Sequence, residues 1–304
     1  MKAVVLCAGL GTRLAPLTYR VPKPLVPVAN RAALDRVLDR LAEAGIEDVG
    51  VNLHHLADLI ERHLHQRTEG PRVHVVREAE ILETGGGIAH FTAFDAPLLV
   101  HNVDVVTDVD IAHVIETHEM SGADVTMALV DDPRFNVVRV APDGVVRGIR
   151  GEGPEARFTL SGIYALSLRF LKRLTPGRKH SVVEAIVAQM NEAPGSVRGI
   201  FPRPHTYWRD LGHVDTYLDL HHDLLSGRGP RLPGLVVPPD GQLVSPAANV
   251  DARARLEGCV AVGDGCVIGP DVHLTDCVVL AGTHLSEGFS ARRAVILDDL
   301  VIAA

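Results

Sequence analysis

Near its end the chain repeats with a period of six. Val244, Val250, Leu256, Val262, Ile268, Leu274 and Leu280 stand six residues apart. The positions four after these are small or β-branched: Ala248, Ala254, Val260, Cys266, Val272 and Val278. A fixed short period signals stacked units, each too small to bury its apolar side alone. The period is lost after Leu280, where Ser286 and Arg292 occupy the repeat position. The stack is therefore expected to be short and capped by the last residues. A stretch rich in Gly, Pro and polar residues runs from 227 to 244 and sets a domain boundary near residue 235. Two domains follow, 1–234 and 235–304.

The hexapeptide pattern resembles that of left-handed β-helix proteins, with three hexads to a coil. On that geometry Cys259 and Cys277, 18 residues apart in sequence, stack on neighbouring coils at about 4.8 Å. This is within Cα reach of a disulfide, although a reducing cytoplasm favours free thiols. His273 and His284 invite an acyltransferase reading. No partner motif accompanies them, so the solenoid is expected to serve assembly, including homo-oligomer contact, or allosteric contact.

The residues before the boundary alternate strand and helix signals. Ala3, Val4, Val5 and Leu6 read as a buried parallel strand. Leu34, Val37, Leu38 and Leu41 follow helical spacing, and Gly45 stops the helix. Strands at 48–53 and 73–76, with a helix at 57–64 between them, continue the alternation. A run from Pro97 ends on Asp104. A helix at 109–120, a strand at 124–130, a hairpin turning at Pro142-Asp143-Gly144 and a helix at 214–225 complete the region. The prediction is an α/β fold: a mainly parallel, Rossmann-like sheet with helices on both faces and ligands outside the strands' carboxyl ends.

The first strand runs into LCAGLGTRLAPLTYRVPKPLVP, from Leu6 to Pro27. Two glycines, Gly9 and Gly11, permit close backbone approach, and Arg13 and Lys23 supply cations for a polyphosphate. A P-loop would require Lys-Ser/Thr after the second glycine, and a dinucleotide fingerprint would require glycine where Leu14 stands. Neither pattern is met. The combination G-x-G-T-R-L-x-P-L-T with P-K-P-L-x-P-V resembles the sugar-1-phosphate nucleotidyltransferases. The segment Leu82 to Ile88, LETGGGI, is most similar to the N-acetylmuramate-1-phosphate uridylyltransferase branch, whereas the added solenoid is common among guanylyl- and glucose-type enzymes.

The resemblance implies a role for each motif. Leu6, Ala8, Gly9, Gly11, Thr12 and Arg13 would hold the nucleotide, with Leu82, Thr84, Gly85 and Gly86 against base and ribose. Lys23, Asn102 and Gly162 would bind the sugar phosphate. Asp104 and Asp210, the latter in Trp208-Arg209-Asp210-Leu211-Gly212, would bind Mg²⁺. Arg13 and Lys23 would act as the catalytic cations. At the position before Asp104 the family usually has glycine; this chain has Val103. The implied substrates are UTP or GTP and a hexose 1-phosphate. The alternative is a catalytically silent regulatory subunit that binds nucleotide sugar and acts through its β-helix.

Bulk properties narrow the remaining classes. A net charge of −8 argues against nucleic acid or an anionic membrane as partner. No apolar run approaches ~18 residues, and the first residues lack a signal peptide's apolar segment. The chain reads as cytoplasmic. Its four cysteines and sixteen histidines show no recognisable metal spacing.

Overall fold

The opening apolar run is a central strand. In the computed structural model, which describes residues 1–304, β1 (Lys2–Leu6) lies between β2 (Asp48–Leu53) and β4 (Leu98–Asn102), parallel to both. Strand β3 (Arg72–Arg77) extends the parallel set beyond β2. Ala3, Val4 and Val5 are fully buried, as expected for a strand covered on both faces. Helices α1 (Ala33–Glu43), α2 (Ala57–His65), α3 (Glu83–Ala89) and α4 (Ile111–Ser121) connect or flank these strands. The α1 stop lies where Gly45 was expected to cap. Gly45 has φ +79°, and the next N–H, from Ile46, returns to the carbonyl of Leu41 at 3.0 Å.

Beyond β4 the sheet becomes antiparallel. Strand β5 (Val125–Val130) and the hairpin β6 (Val138–Val140) and β7 (Val146–Ile149) precede the long β8 (Ala156–Leu166). β8 pairs with β4 and β5, and its first residues pair with β6. After α5 (Leu168–Leu171) and α6 (Val182–Glu192), β9 (Val197–Ile200) adds parallel to β5. These elements belong to a compact unit comprising residues 1–10 and 37–208.

A second unit joins residues 11–36 to 209–304. It contains α7 (Val214–Leu225) and the C-terminal left-handed β-helix. Each solenoid face is a stack of short parallel strands. One face holds Gln242–Val244, Val260–Val262, Val278–Val279 and Ala294–Leu297. The final strand, Leu300–Ala303, pairs antiparallel with Ala294–Leu297 and closes the stack.

The repeat does not keep the register expected from its sequence. Val244 pairs with Val262 across 18 residues, but Val262 pairs with Val279, across 17. One residue is missing from the coil between Leu274 and Val279, so Leu280 is not the repeat position. The stack then continues in shifted register through Leu285 and Ala291, and reaches Ile296 after a second missing residue, rather than failing at Ser286 and Arg292. The same shift overturns the expected stacking of Cys259 on Cys277. Asp276 stands beside Cys259 instead, accepting its N–H at 3.0 Å. A one-residue slip exchanges inward and outward positions: Cys277 lies in the solenoid core cluster, and Cys259 does not. All four cysteines are free and buried. No helix is long and apolar enough to cross a membrane.

Candidate active site

Strand register sets the first group of residues. Leu6 at the end of β1 stands opposite both Asn52 and Asn102. The chain past Leu6 and the turn past Asn102 therefore emerge at the same edge of the sheet, on neighbouring strands. Asp104 is two residues beyond Asn102. Its charge acts on Cys7, whose thiol is pushed well up, first by burial and then by this carboxylate. Asn102 and Gly162 also converge. Gly162 has φ +87°, and a Cβ there would lie 3.0 Å from Asn102 Nδ2 and 3.1 Å from Val105 Cγ2. The glycine sits at an irregularity in the β8 pairing, and the Trp208 indole N–H donates to the neighbouring Ser161 carbonyl at 2.8 Å.

A buried carboxylate, Glu78, ties together the backbone around Cys7, Asn52 and Leu82. The Cys7 N–H donates to Asn52 Oδ1 at 2.9 Å, and Asn52 Nδ2 donates to Glu78 Oε1 at 2.8 Å. The Leu82 N–H donates to Glu78 Oε2 at 3.0 Å. One acidic side chain thereby links the ends of β1 and β2 to the entry of α3. Gly87 makes room for the arrangement, since a Cβ there would fall 2.6 Å from Asn52 Nδ2.

The other glycines of LETGGGI approach the protein's own backbone. The N–H groups of Gly85 and Gly86 both point at the His180 carbonyl, at 2.9 and 3.3 Å. A Cβ at Gly86 would stand 2.6 Å from the Arg178 carbonyl oxygen. Thr84 Oγ1 accepts the Val182 N–H at 3.0 Å, supporting the start of α6. Lys179 in the adjoining turn is exposed and lies 3.8 Å from Glu83.

His101 and Arg40 were not singled out by sequence. His101 is fully buried, donates from Nδ1 to the Asn102 carbonyl at 2.7 Å and faces Arg40 Nη1 with Nε2 at 3.4 Å. Burial, and secondarily the Arg40 charge, holds its pKa down to about 3. Arg40 also donates to the Val109 carbonyl at 2.6 Å. The neutral ring thus braces the strand end from which Asp104 leaves. Spacing could not reveal this, because the two side chains meet only when α1 packs on the sheet.

In the second unit the loop cations are set by local turns. Gly11 has φ +66°, and a Cβ would lie 2.8 Å from Thr18 Cγ2. Thr12, Arg13 and Leu14 form a 3₁₀ turn anchored by buried Leu14, and further such turns follow at Leu17–Tyr19 and from Lys23. Arg13 Nη1 is 3.8 Å from Asp210 Oδ2. A Cβ at Gly212 would overlap that carboxylate oxygen and come 3.0 Å from Arg13 Nη1, which gives the glycine of W-R-D-L-G a steric reason.

The arm after Lys23 is clamped by α7. Tyr217 Oη donates to the Pro27 carbonyl at 2.6 Å, and His221 Nε2 accepts the Ala29 N–H at 3.1 Å. His221 Nδ1 donates to Tyr217 O, so the ring is neutral; burial first holds its pKa down to about 4. Buried Arg36 donates to the carbonyls of Val28 and Ala29, and Asn30 Nδ2 donates to the carbonyls of Leu243 and Val262 in the solenoid.

Each of Asp104 and Asp210 offers hard carboxylate oxygens, the donor type that suits a divalent cation of the Mg²⁺ class better than a soft metal.

Comparison with known proteins identifies the family. A family model described as nucleotidyl transferase matches residues 2–227. A mannose-1-phosphate guanylyltransferase of Mycobacterium tuberculosis is 33% identical over 300 residues, covering 96% of this chain and 83% of its own. An N-acetylmuramate alpha-1-phosphate uridylyltransferase of Caulobacter vibrioides is 47% identical over 110 residues, 34% of this chain and 46% of that protein. Among solved structures, HddC from Yersinia pseudotuberculosis, in complex with GMP-PN, superposes with a TM-score of 0.60 at 25% identity, over 72% of this chain and 97% of that one. From its loop and strand-end motifs and from these matches, the chain belongs to the nucleotidyl transferase family, as a sugar-1-phosphate nucleotidyltransferase.

Proposed function

We propose that the enzyme transfers a nucleoside monophosphate from GTP to mannose 1-phosphate and releases pyrophosphate, with Mg²⁺ as the cation. The observation that carries the choice is the relative named for this reaction, whose similarity runs through 96% of the chain and so includes the solenoid as well as the loop. Uridylyl transfer is the second reading, favoured by the higher identity of the shorter match. The regulatory-subunit alternative gains no support from relatives that are named as transferases.

In this reading an oxygen of the sugar phosphate attacks the α-phosphorus in line. The bond from α-phosphorus to the bridging oxygen breaks, and its electron pair leaves with pyrophosphate. The nucleophile is already an anion, so no general base is required. The work left to side chains is positioning and neutralising charge. Arg13, with the backbone N–H groups of Gly11 and Thr12, takes the charge of the leaving pyrophosphate. Lys23 serves the α-phosphate and the attacking phosphate, and the clamp on Pro27 and Ala29 fixes the arm behind it. Asn102 and Gly162 receive the sugar phosphate. Leu6, Ala8 and Gly9, with Leu82, Thr84, Gly85 and Gly86, border the nucleoside. Asp104 and Asp210 would hold Mg²⁺, which when bound would offset the negative charge gathered on the phosphates. Residues 1–234 carry the transfer, and 235–304 form an assembly domain that takes part in homo-oligomer contact.

Pyrophosphate release measured for GTP, UTP, TTP and ATP against mannose, glucose and N-acetylmuramate 1-phosphates tests the proposal. GTP with mannose 1-phosphate is expected to give the highest kcat/KM. Dominant turnover of UTP selects the second reading, and no release from any pair overturns both.

A further inference from the structure

The register slip in the solenoid creates a group of side chains with no part in the transfer chemistry. With Cys259 outside the core cluster, its Sγ lies 3.6 Å from the His222 carbonyl in the last turn of α7. His222 Nδ1 is 3.9 Å from Asp276 Oδ1, and that carboxylate also accepts the Cys259 N–H. One ligand atom from each of His222, Cys259 and Asp276 falls within 4.8 Å of the other two. They border a cavity of about 110 Å³ whose wall includes Leu218 and Arg293.

The backbone is shaped around this meeting. Gly258 has φ +68°, and a Cβ there would overlap Asp276 Oδ1. Asp276 itself is left-handed, with φ +52°, and its N–H returns to Glu257 O at 3.1 Å. Arg293 does not leave an unbalanced cation in the wall. It pairs with Asp219 at 2.9 Å and Asp215 at 3.5 Å, both on α7. His222 and Asp276 are partly exposed, giving an ion a route from solvent, whereas the thiol is buried.

We propose that His222, Cys259 and Asp276 form a zinc site that staples α7 to a corner of the β-helix, with solvent in the fourth position. The donor set of imidazole, thiolate and carboxylate suits Zn²⁺ and disfavours Mg²⁺. A tetrahedral ion with bonds of about 2.0–2.3 Å sets its ligands roughly 3.3–3.8 Å apart, so modest side-chain movement closes the observed triangle. Cys259 ionises as the metal binds, the Zn–S bond replacing S–H and the proton passing to solvent. The ion would stiffen the turn that holds His221 against the arm behind Lys23. The site is chemically separate from the carboxylates assigned to catalysis, and its test does not depend on turnover.

Titration of the full chain with Co²⁺, a spectroscopic stand-in for zinc, provides that test. Expected are tetrahedral d–d bands and a thiolate-to-cobalt charge-transfer band saturating at about one equivalent. Zn²⁺ should displace the cobalt, and excess Mg²⁺ should not. The band should survive in Asp104→Asn and disappear in Cys259→Ser. If Cys259→Ser fails to fold by circular dichroism, His222→Gln, at a more exposed position, should weaken cobalt binding at least ~10-fold. Absence of the charge-transfer band in the parent chain, or its persistence in folded Cys259→Ser, overturns the proposal. Unchanged affinity in folded His222→Gln also overturns it.

Discussion

A methyl group added at Gly9 would meet nothing within 4 Å, whereas one added at Gly86 would come 2.6 Å from the Arg178 carbonyl oxygen. Both glycines belong to motifs that read, in sequence, as places for a ligand to approach the backbone. In the Gly9–Arg13 stretch the surroundings of Gly9 are open, and Gly11 uses φ +66° to start the turn carrying Arg13. In LETGGGI the glycines lie inside α3, and two of their N–H groups already share the His180 carbonyl. Glycine permits close approach without specifying what approaches. One motif keeps that freedom for its surroundings, and the other uses much of it to pack helix on backbone.

The largest expected effect separates the motifs by chemistry. Arg13→Ala should lower kcat by about 10²–10³-fold, the range for removing a group that stabilises charge in the transition state. Its melting temperature should stay near the parent's, because Arg13 is half exposed and its ion pair with Asp210 spans 3.8 Å. Steady-state pyrophosphate release with a thermal melt decides it; near-parental kcat would remove the loop from the mechanism.

The next effect belongs to the packed motif. Gly86→Ala should cost about 1–3 kcal/mol in denaturant unfolding, as overpacking commonly does, while Gly9→Ala should stay within about 0.5 kcal/mol. Equal losses at the two positions would erase the contrast.

A smaller, graded effect concerns the arm clamped behind Lys23. His221 must be neutral to accept the Ala29 N–H, and its pKa falls from 6.5 to about 4 on folding. The unfolded chain binds the extra proton between these values, so stability is full above about pH 6.5 and declines as pH falls toward 4. The slope from this residue is at most about 1.4 kcal/mol per pH unit. His101 adds a loss of the same sign, extending toward pH 3. Urea unfolding across this window should show a shallower acid slope in His221→Gln than in the parent; identical slopes would show that the clamp does not titrate.

Much of the fold was legible because its signals are local. Helical spacing at Leu34, Val37, Leu38 and Leu41 and the stop at Gly45 lie within α1 and its cap. The strand at Asp48–Leu53 and the helix at Val214–Leu225 match their expected limits. α6 went unread although Ser181 caps it, its side chain accepting the Val183 N–H. The site was legible as motifs, but its support was not: Glu78 joins Asn52 and Leu82, and Tyr217 reaches Pro27 across 190 positions. Such partners leave no period in sequence.

By itself the sequence determined the family, through the spacing of Gly9, Gly11, Arg13 and the P-K-P-L arm, and the solenoid, through its six-residue period. Both are properties of near neighbours along the chain. Tertiary structure decided what surrounds each glycine, which histidines remain neutral, and where the repeat loses a residue. Those outcomes depend on packing and strand register between distant segments. A single missing residue suffices to bring Cys277 into the core and to set Asp276 beside Cys259.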